Sequence, residues 1–210
     1  MNNTRSPFTD NYEEEIKRCA INSAARRNCI YRIWPDQSEA KEGLLRPYTC
    51  IIMDPSADGG MPHTRAPGII CIPAYYPKER LGTTLRHELI HIDQRINKDK
   101  WRKRLLEEGW TEEDETEVPE EWRNRCRLNP DTLECRFVAW EGRYIPLPLF
   151  EREDKPNLRD IQIRWWDMRE KRILVKPPIS YIHRYGIRGK SEMEHPYELW
   201  AYDAEIESNK

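Results

Sequence analysis

The sequence predicts an α+β fold from three observations. Apolar residues recur at helical spacing near the amino terminus, three short β-branched runs follow, and a second helical pattern precedes another set of strand-like runs. At 210 residues the chain has the size of one domain, or of one domain with a sizeable insertion, and can enclose a core. We expect one unit over residues 1–210, with a β-rich insertion at 127–190.

In chain order, Asp10 and Glu13 form a capping-box pattern, and Ile16, Cys19, Ala20 and Ala24 share a helical stripe, predicting a first helix over 11–27. The runs CIYRIWP, YTCIIM and GIICIP read as strands, separated by loops rich in Pro, Gly and Asp such as DPSADGGMPHTRAP. Together they predict a small amino-terminal sheet. The stretch TTLRHELIHIDQR then reads as a helix. From Glu107 to Glu121 nine residues are acidic and none is basic, which predicts a solvated helix or loop, with a lid as the sharper alternative. LECRFVAW, YIPLPLF, IQIRWW and RILV read as the strands of the insertion. HPYELWAYDAEIE, with Pro196 where a first helical turn tolerates proline, reads as a carboxy-terminal helix.

Composition bounds the function. Charged residues make up 34% of the chain and hydrophobic ones 38%, yet eight Trp and ten Tyr supply large buried surfaces. This predicts a folded protein with a polar shell. A formal charge of -2 provides no global field toward nucleic acid or an anionic membrane. No run approaches the roughly 18 apolar residues of a membrane span. The six cysteines contain no CxxC pair and the first residues carry no apolar leader, so we expect reduced thiols and an intracellular or virion-associated setting.

The chemistry concentrates in HELIH. At about 100° per residue, His87, Glu88 and His91 fall on one arc with Thr84 and Arg95, while Leu85, Leu89, Ile92 and Ile96 fall on another. Such a helix buries one side and offers the other to a cleft. Two imidazoles one turn apart can hold one Zn²⁺, and the glutamate after the first can act as general base on a water that the ion acidifies. By composition alone this pattern arises at a rate on the order of 1% in a chain this long.

Two histidines leave the set one ligand short. Glu198, in the first turn of the last helix, is our choice, with Ala201 small enough to let that helix approach; His195 and His183 are rivals, and Glu194 and Glu205 are weaker. Gln94 is placed to orient a ligand. Tyr202 is our choice of hydrogen-bond donor to a developing oxyanion, with Tyr181, His183 and Tyr185 as alternatives.

These residues resemble the zincin metallopeptidases, and with a later helical glutamate the gluzincin branch. The segments MPHTRAPGIICIP, TLRHELIHIDQR, LNPD and EHPYELWAY together also resemble metallopeptidase-like proteins of large DNA viruses and phages. The resemblance implies a zincin-like core that cleaves a peptide or protein substrate. It also implies that Gly68–Pro73 is an edge strand able to pair with substrate and that His63, Asn129 and Asp131 border the cleft. One departure from thermolysin-like members stands out: four residues after Glu198 is Tyr202, where they carry an aspartate supporting a ligand histidine. Two rival functions remain at this level. One is a non-catalytic, metal-stapled structural or virion component. The other is a nucleic-acid-associated protease of the SprT kind, suggested by nine Arg or Lys against three acids over 159–190, with Trp165 and Trp166 as stacking surfaces. Membrane partners are not expected, and the oligomeric state is not encoded in any motif.

Overall fold

The computed structural model describes residues 11–26, 31–33, 48–66 and 68–207, and these form a mixed α and β structure. The predicted first helix is two short ones, α1 (Asn11–Arg18) and α2 (Ala20–Ala25), separated at Cys19, whose backbone is extended. The capping residue Asp10 lies outside the described residues, as do the ends of the CIYRIWP run.

The first sheet contains β1 (Tyr31–Ile33), β2 (Thr49–Met53), β3 (His63–Arg65) and β4 (Ile69–Pro73) in the order β1-β2-β4-β3. β2 and β4 are parallel, and the outer pairs are antiparallel. This corrects the expected edge position of Gly68–Pro73. All five residues of β4 are buried, β2 flanks its whole length, and β3 covers the other side over Ile69–Cys71, so along those three residues no backbone edge is open for a peptide to add to. The outer strand beside it is β3, and there Asp131 accepts from both the Thr64 backbone N–H and its hydroxyl at 2.6 Å.

Alternation along β4 explains where α3 (Lys78–Ile96) sits. Ile69 and Cys71 pack on Ile51, Met53 and Ala57, whereas Ile70 and Ile72 point the other way onto Leu89 and Ile92 of α3. The apolar arc of the HELIH helix is thus pinned to the sheet, and the arc with His87, Glu88 and His91 faces elsewhere. The turn between β4 and α3 holds Tyr75 at φ 64, in the left-handed region that costs a residue with a Cβ about 1 kcal/mol or more.

α4 (Lys98–Glu107) follows directly, and then a five-stranded antiparallel meander in sequence order: β5 (Trp110–Glu112), β6 (Val138–Trp140), β7 (Tyr144–Phe150), β8 (Ile161–Asp167) and β9 (Arg172–Leu174). The expected β-rich insertion at 127–190 therefore has different boundaries. Its sheet begins at Trp110, inside the acidic stretch, because Trp110 is 1% exposed and anchors that polar run to the core. Leu133–Cys135, read as the start of a strand, belong instead to a 3₁₀ turn over Pro130–Cys135 started by Asn129, whose side chain accepts from the Asp131 N–H. The end of the predicted insertion is helical: α6 (Ile179–Tyr185) starts after Pro178, and α7 (Lys190–Glu194) follows. α5 (Glu120–Arg125) precedes the 3₁₀ turn.

One face of the second sheet shares a core with α4, α6 and α8 (Pro196–Glu207), built from Trp101, Trp110, Trp140, Trp165, Tyr181 and Trp200 among others. The other face covers Val118, Cys126, Phe137, Leu147 and Trp166. Trp165 and Trp166 are buried on opposite faces, so neither offers a ring to a nucleic-acid base. Tyr181 and Tyr185 belong to this aromatic core, with the Tyr185 hydroxyl held by Trp110 and Glu108, and His183 is exposed. None of these three reaches the HELIH face. Among the described residues no helix is long and apolar enough to cross a membrane.

Candidate metal centre

α8 brings the third group. Its first turn is set by His195, which accepts the Tyr197 backbone N–H at its Nδ1 (3.1 Å) just before Pro196 opens the helix. The second ring nitrogen of His195 donates to the Cys135 carbonyl at 2.7 Å, and burial pushes the imidazole down to about 4. Both nitrogens are committed to holding the helix end, so His195 is a capping residue and not a ligand. Glu198 follows in that first turn, where the partial positive charge of the helix terminus favours a carboxylate. Ala201 is fully buried where α8 packs on α3.

His87, His91 and Glu198 converge there, all buried, and this group of three could hold a metal ion. His87 Nε2 is 3.0 Å from His91 Nε2 and 3.3 Å from Glu198 Oε2, and His91 Nε2 is 3.6 Å from the same oxygen. Three donors each about 2.1 Å from a tetrahedral ion lie about 3.4 Å from one another. The observed separations bracket that value with no rearrangement of the backbone.

The outward atoms of these side chains are also fixed. Gln94 Oε1 accepts from His91 Nδ1 at 2.7 Å while its own amide donates to the Tyr197 carbonyl, so the His91 proton resides on Nδ1 and the Nε2 lone pair faces the shared space. Asn129 Nδ2 donates to Glu198 Oε1 at 2.6 Å, leaving Oε2 toward the imidazoles. Glu205 Oε1 lies 2.8 Å from His87 Nδ1, at ion-pair distance though not aligned as a hydrogen bond. Glu205, one of the weaker ligand candidates by sequence, is not in the group of three but faces one of its members.

Two imidazole nitrogens 3.0 Å apart repel unless a cation or proton sits between them. Burial alone lowers the basicity of His87, but the Glu198 and Glu205 carboxylates overcome it and push its pKa up to about 11. Burial likewise opposes ionisation of Glu198, and the two imidazoles outweigh it, holding the carboxyl well below the usual range. Glu88 goes the other way. It is 3% exposed, its Oε2 has no hydrogen-bond partner, and burial together with nearby Asp131 raises its pKa well above the ordinary carboxylate value.

His87, Glu88, Glu198, Tyr202 and Glu205 line one cleft of about 650 Å³, which the Pro73–Pro77 turn also walls. The Tyr202 ring meets His87 edge-on with centroids 4.6 Å apart, and burial raises its pKa, so its hydroxyl stays protonated. Asp131 and Arg127 line the same cleft, and Arg127 is braced by the buried Glu194 at 3.4 Å. Burial pushes the Glu194 carboxyl up to about 7. Arg127 has no signal in the sequence beyond its charge. His63 sits apart in a buried group with Arg26, Asp58 and Arg65. Arg95 and Thr84 of the HELIH face make structural bonds, to Thr64 and Pro130 and to Tyr76 respectively. No residue of the acidic run 107–121 lines the cleft. Comparison with known protein families, curated proteins and solved structures finds no match to this chain.

Proposed function

We propose that this protein is a zinc-dependent metallopeptidase of the zincin type, with His87, His91 and Glu198 as ligands and Glu88 as general base. The observation that carries the reading is the convergence of the three donors on one spot, with His87 and Glu198 on the wall of a cleft that Glu88 also lines, one of its carboxylate oxygens having no hydrogen-bond partner. Two nitrogens and one carboxylate oxygen suit Zn²⁺, and a three-ligand set leaves a coordination position open, as catalytic zinc sites do. Zinc bound there supplies Lewis acidity and lowers the pKa of its water toward about 7.

The remaining steps belong to the protein. Glu88 accepts the proton of the attacking water at a carboxylate oxygen and delivers it to the departing amine. Its burial in a low-dielectric wall raises its affinity for that proton, which suits a group that must hold it between two steps. Tyr202, which burial keeps protonated and which lines the cleft beside His87, is the group we assign to donate to the oxyanion as the carbonyl becomes tetrahedral. Gln94 and Asn129 keep the ligands in their rotamers. The substrate is a peptide or protein segment that enters between the Pro73–Pro77 turn and α8. Cys19, Cys50, Cys126 and Cys135 are free thiols, which fits an intracellular setting.

The test is Glu88→Gln. The variant should lose at least about a hundredfold in turnover of a fluorogenic peptide library, in line with loss of a general base, while keeping zinc content and thermal midpoint. Retention of full turnover sinks the peptidase reading, and so does the absence of turnover by the zinc-loaded unaltered chain over a broad library.

A further inference from the structure

Each of the three candidate ligands meets a side chain at the atom that points away from the shared space, but these side chains are of two kinds. Gln94 at His91 and Asn129 at Glu198 are neutral amides, both buried. At His87 the group is a carboxylate, Glu205, whose side chain is 23% exposed and lines the cleft.

The register of α8 explains how it arrives there. Glu198, Tyr202 and Glu205 stand at i, i+4 and i+7, one stripe along the helix that packs on α3. The stripe extends about 10 Å, from the first turn to the last. His87 lies alongside it with one nitrogen toward each end: Nε2 is 3.3 Å from Glu198 and Nδ1 is 2.8 Å from Glu205, with the Tyr202 ring packed edge-on between them. His87 Nδ1 is otherwise a buried donor with no well-aligned partner, so a small rotation of the Glu205 carboxylate completes a charge-assisted hydrogen bond.

We propose that Glu205 is a positioning residue for the metal centre. It fixes the His87 ring with the proton on Nδ1, and as an anion it strengthens Nε2 as a donor to the cation. One helix then supplies both a ligand and the support of a ligand on its neighbour, so metal binding couples the last turn of α8 to α3. A charged support also offsets the cation, which a third amide could not do.

The inference rests on the metal-centre reading, and the experiment separates the two. Full-length Glu205→Gln and Glu205→Ala are compared with the unaltered chain in zinc affinity, measured by competition with a chromophoric chelator, and in the visible spectrum of the Co²⁺-loaded protein. Glu205→Ala should lose about 10- to 100-fold in affinity. Glu205→Gln should fall between, because the amide oxygen still accepts from Nδ1 but carries no charge. The cobalt bands should shift in both, which a residue that merely supports the fold would not cause. If the alanine variant fails to fold, the glutamine variant, of equal length and shape, carries the test. Zinc affinities and cobalt spectra indistinguishable from those of the unaltered chain overturn the role of Glu205 and leave the metal centre standing. Absence of zinc binding by the unaltered chain overturns both.

Discussion

Asn129 offers the sharpest test of how the centre is held. Its amide donates to Glu198 Oε1 at 2.6 Å, while its own oxygen accepts from the Asp131 N–H at 3.1 Å and starts the 3₁₀ turn. The two jobs are separable. Asn129→Ser keeps an oxygen able to cap the turn, but its side chain is too short to reach Glu198. A hydrogen bond to a charged group contributes about 1.5 to 3 kcal/mol, and at about 1.4 kcal/mol per decade that is roughly 10- to 150-fold in zinc affinity if the whole effect falls on the ligand. The range agrees with the loss expected for outer-shell partners in general. The assay is zinc competition against a chromophoric chelator at fixed pH and salt, with circular dichroism of the metal-free variant to verify that the turn persists. A folded Asn129→Ser with affinity within twofold of the unaltered chain would refute the idea that the amide holds Glu198 in its ligating rotamer.

Other outcomes follow from the same geometry. His87 is protonated in the metal-free chain up to a pH of about 11, and a ligand imidazole must be neutral at the ligating atom, so zinc binding at neutral pH should expel about one proton. Calorimetry in buffers of different ionisation enthalpy measures that release, and affinity should rise about tenfold per pH unit below the His87 pKa. Asp167, bonded to Arg143 at 2.7 and 2.9 Å and to two backbone N–H groups, has its carboxyl held at about 2 instead of 3.8. Because the folded-state pKa is the lower one, its contribution, on the order of 2 kcal/mol, is complete above about pH 5 and lost as pH falls through 2. Denaturant melts of Asp167→Asn should show that deficit at pH 7 and a smaller one at pH 3. Burial pushes the Cys126 thiol up to about 12 and leaves it 1% exposed, so alkylation of the native protein followed by peptide mapping should find Cys126 unmodified until denaturant is added.

Much of this arrangement is legible in the residues alone, and what is not has identifiable causes. The spacing of His87, Glu88 and His91 fixes their common face once the segment is helical, and the apolar arc of Leu89 and Ile92 chooses which side is buried. Glu198 could be chosen because Pro196 and the helix formers after it place a carboxylate in a first turn. The position of β4 could not be read, because β3 is only three residues long and is written His-Thr-Arg within a run of loop residues; its pairing is decided by Asp131 from 67 residues later. The start of the second sheet at Trp110 is hidden for a similar reason. A single buried indole overrides the acidic residues around it, and burial is a tertiary property. Glu205 looks like an ordinary polar residue near a helix end, and only the packing of α8 on α3 gives it an imidazole to face. His195 misleads in the opposite direction, since a histidine at a helix start serves equally as ligand or cap. Its two hydrogen bonds decide for the cap.

The most direct measurement is anomalous scattering at the zinc edge from crystals of the zinc-loaded protein. One strong peak per chain is expected, within about 2.0 to 2.2 Å of His87 Nε2, His91 Nε2 and a Glu198 oxygen. A chain that takes up no zinc, or a peak that lies away from these three side chains, contradicts that expectation.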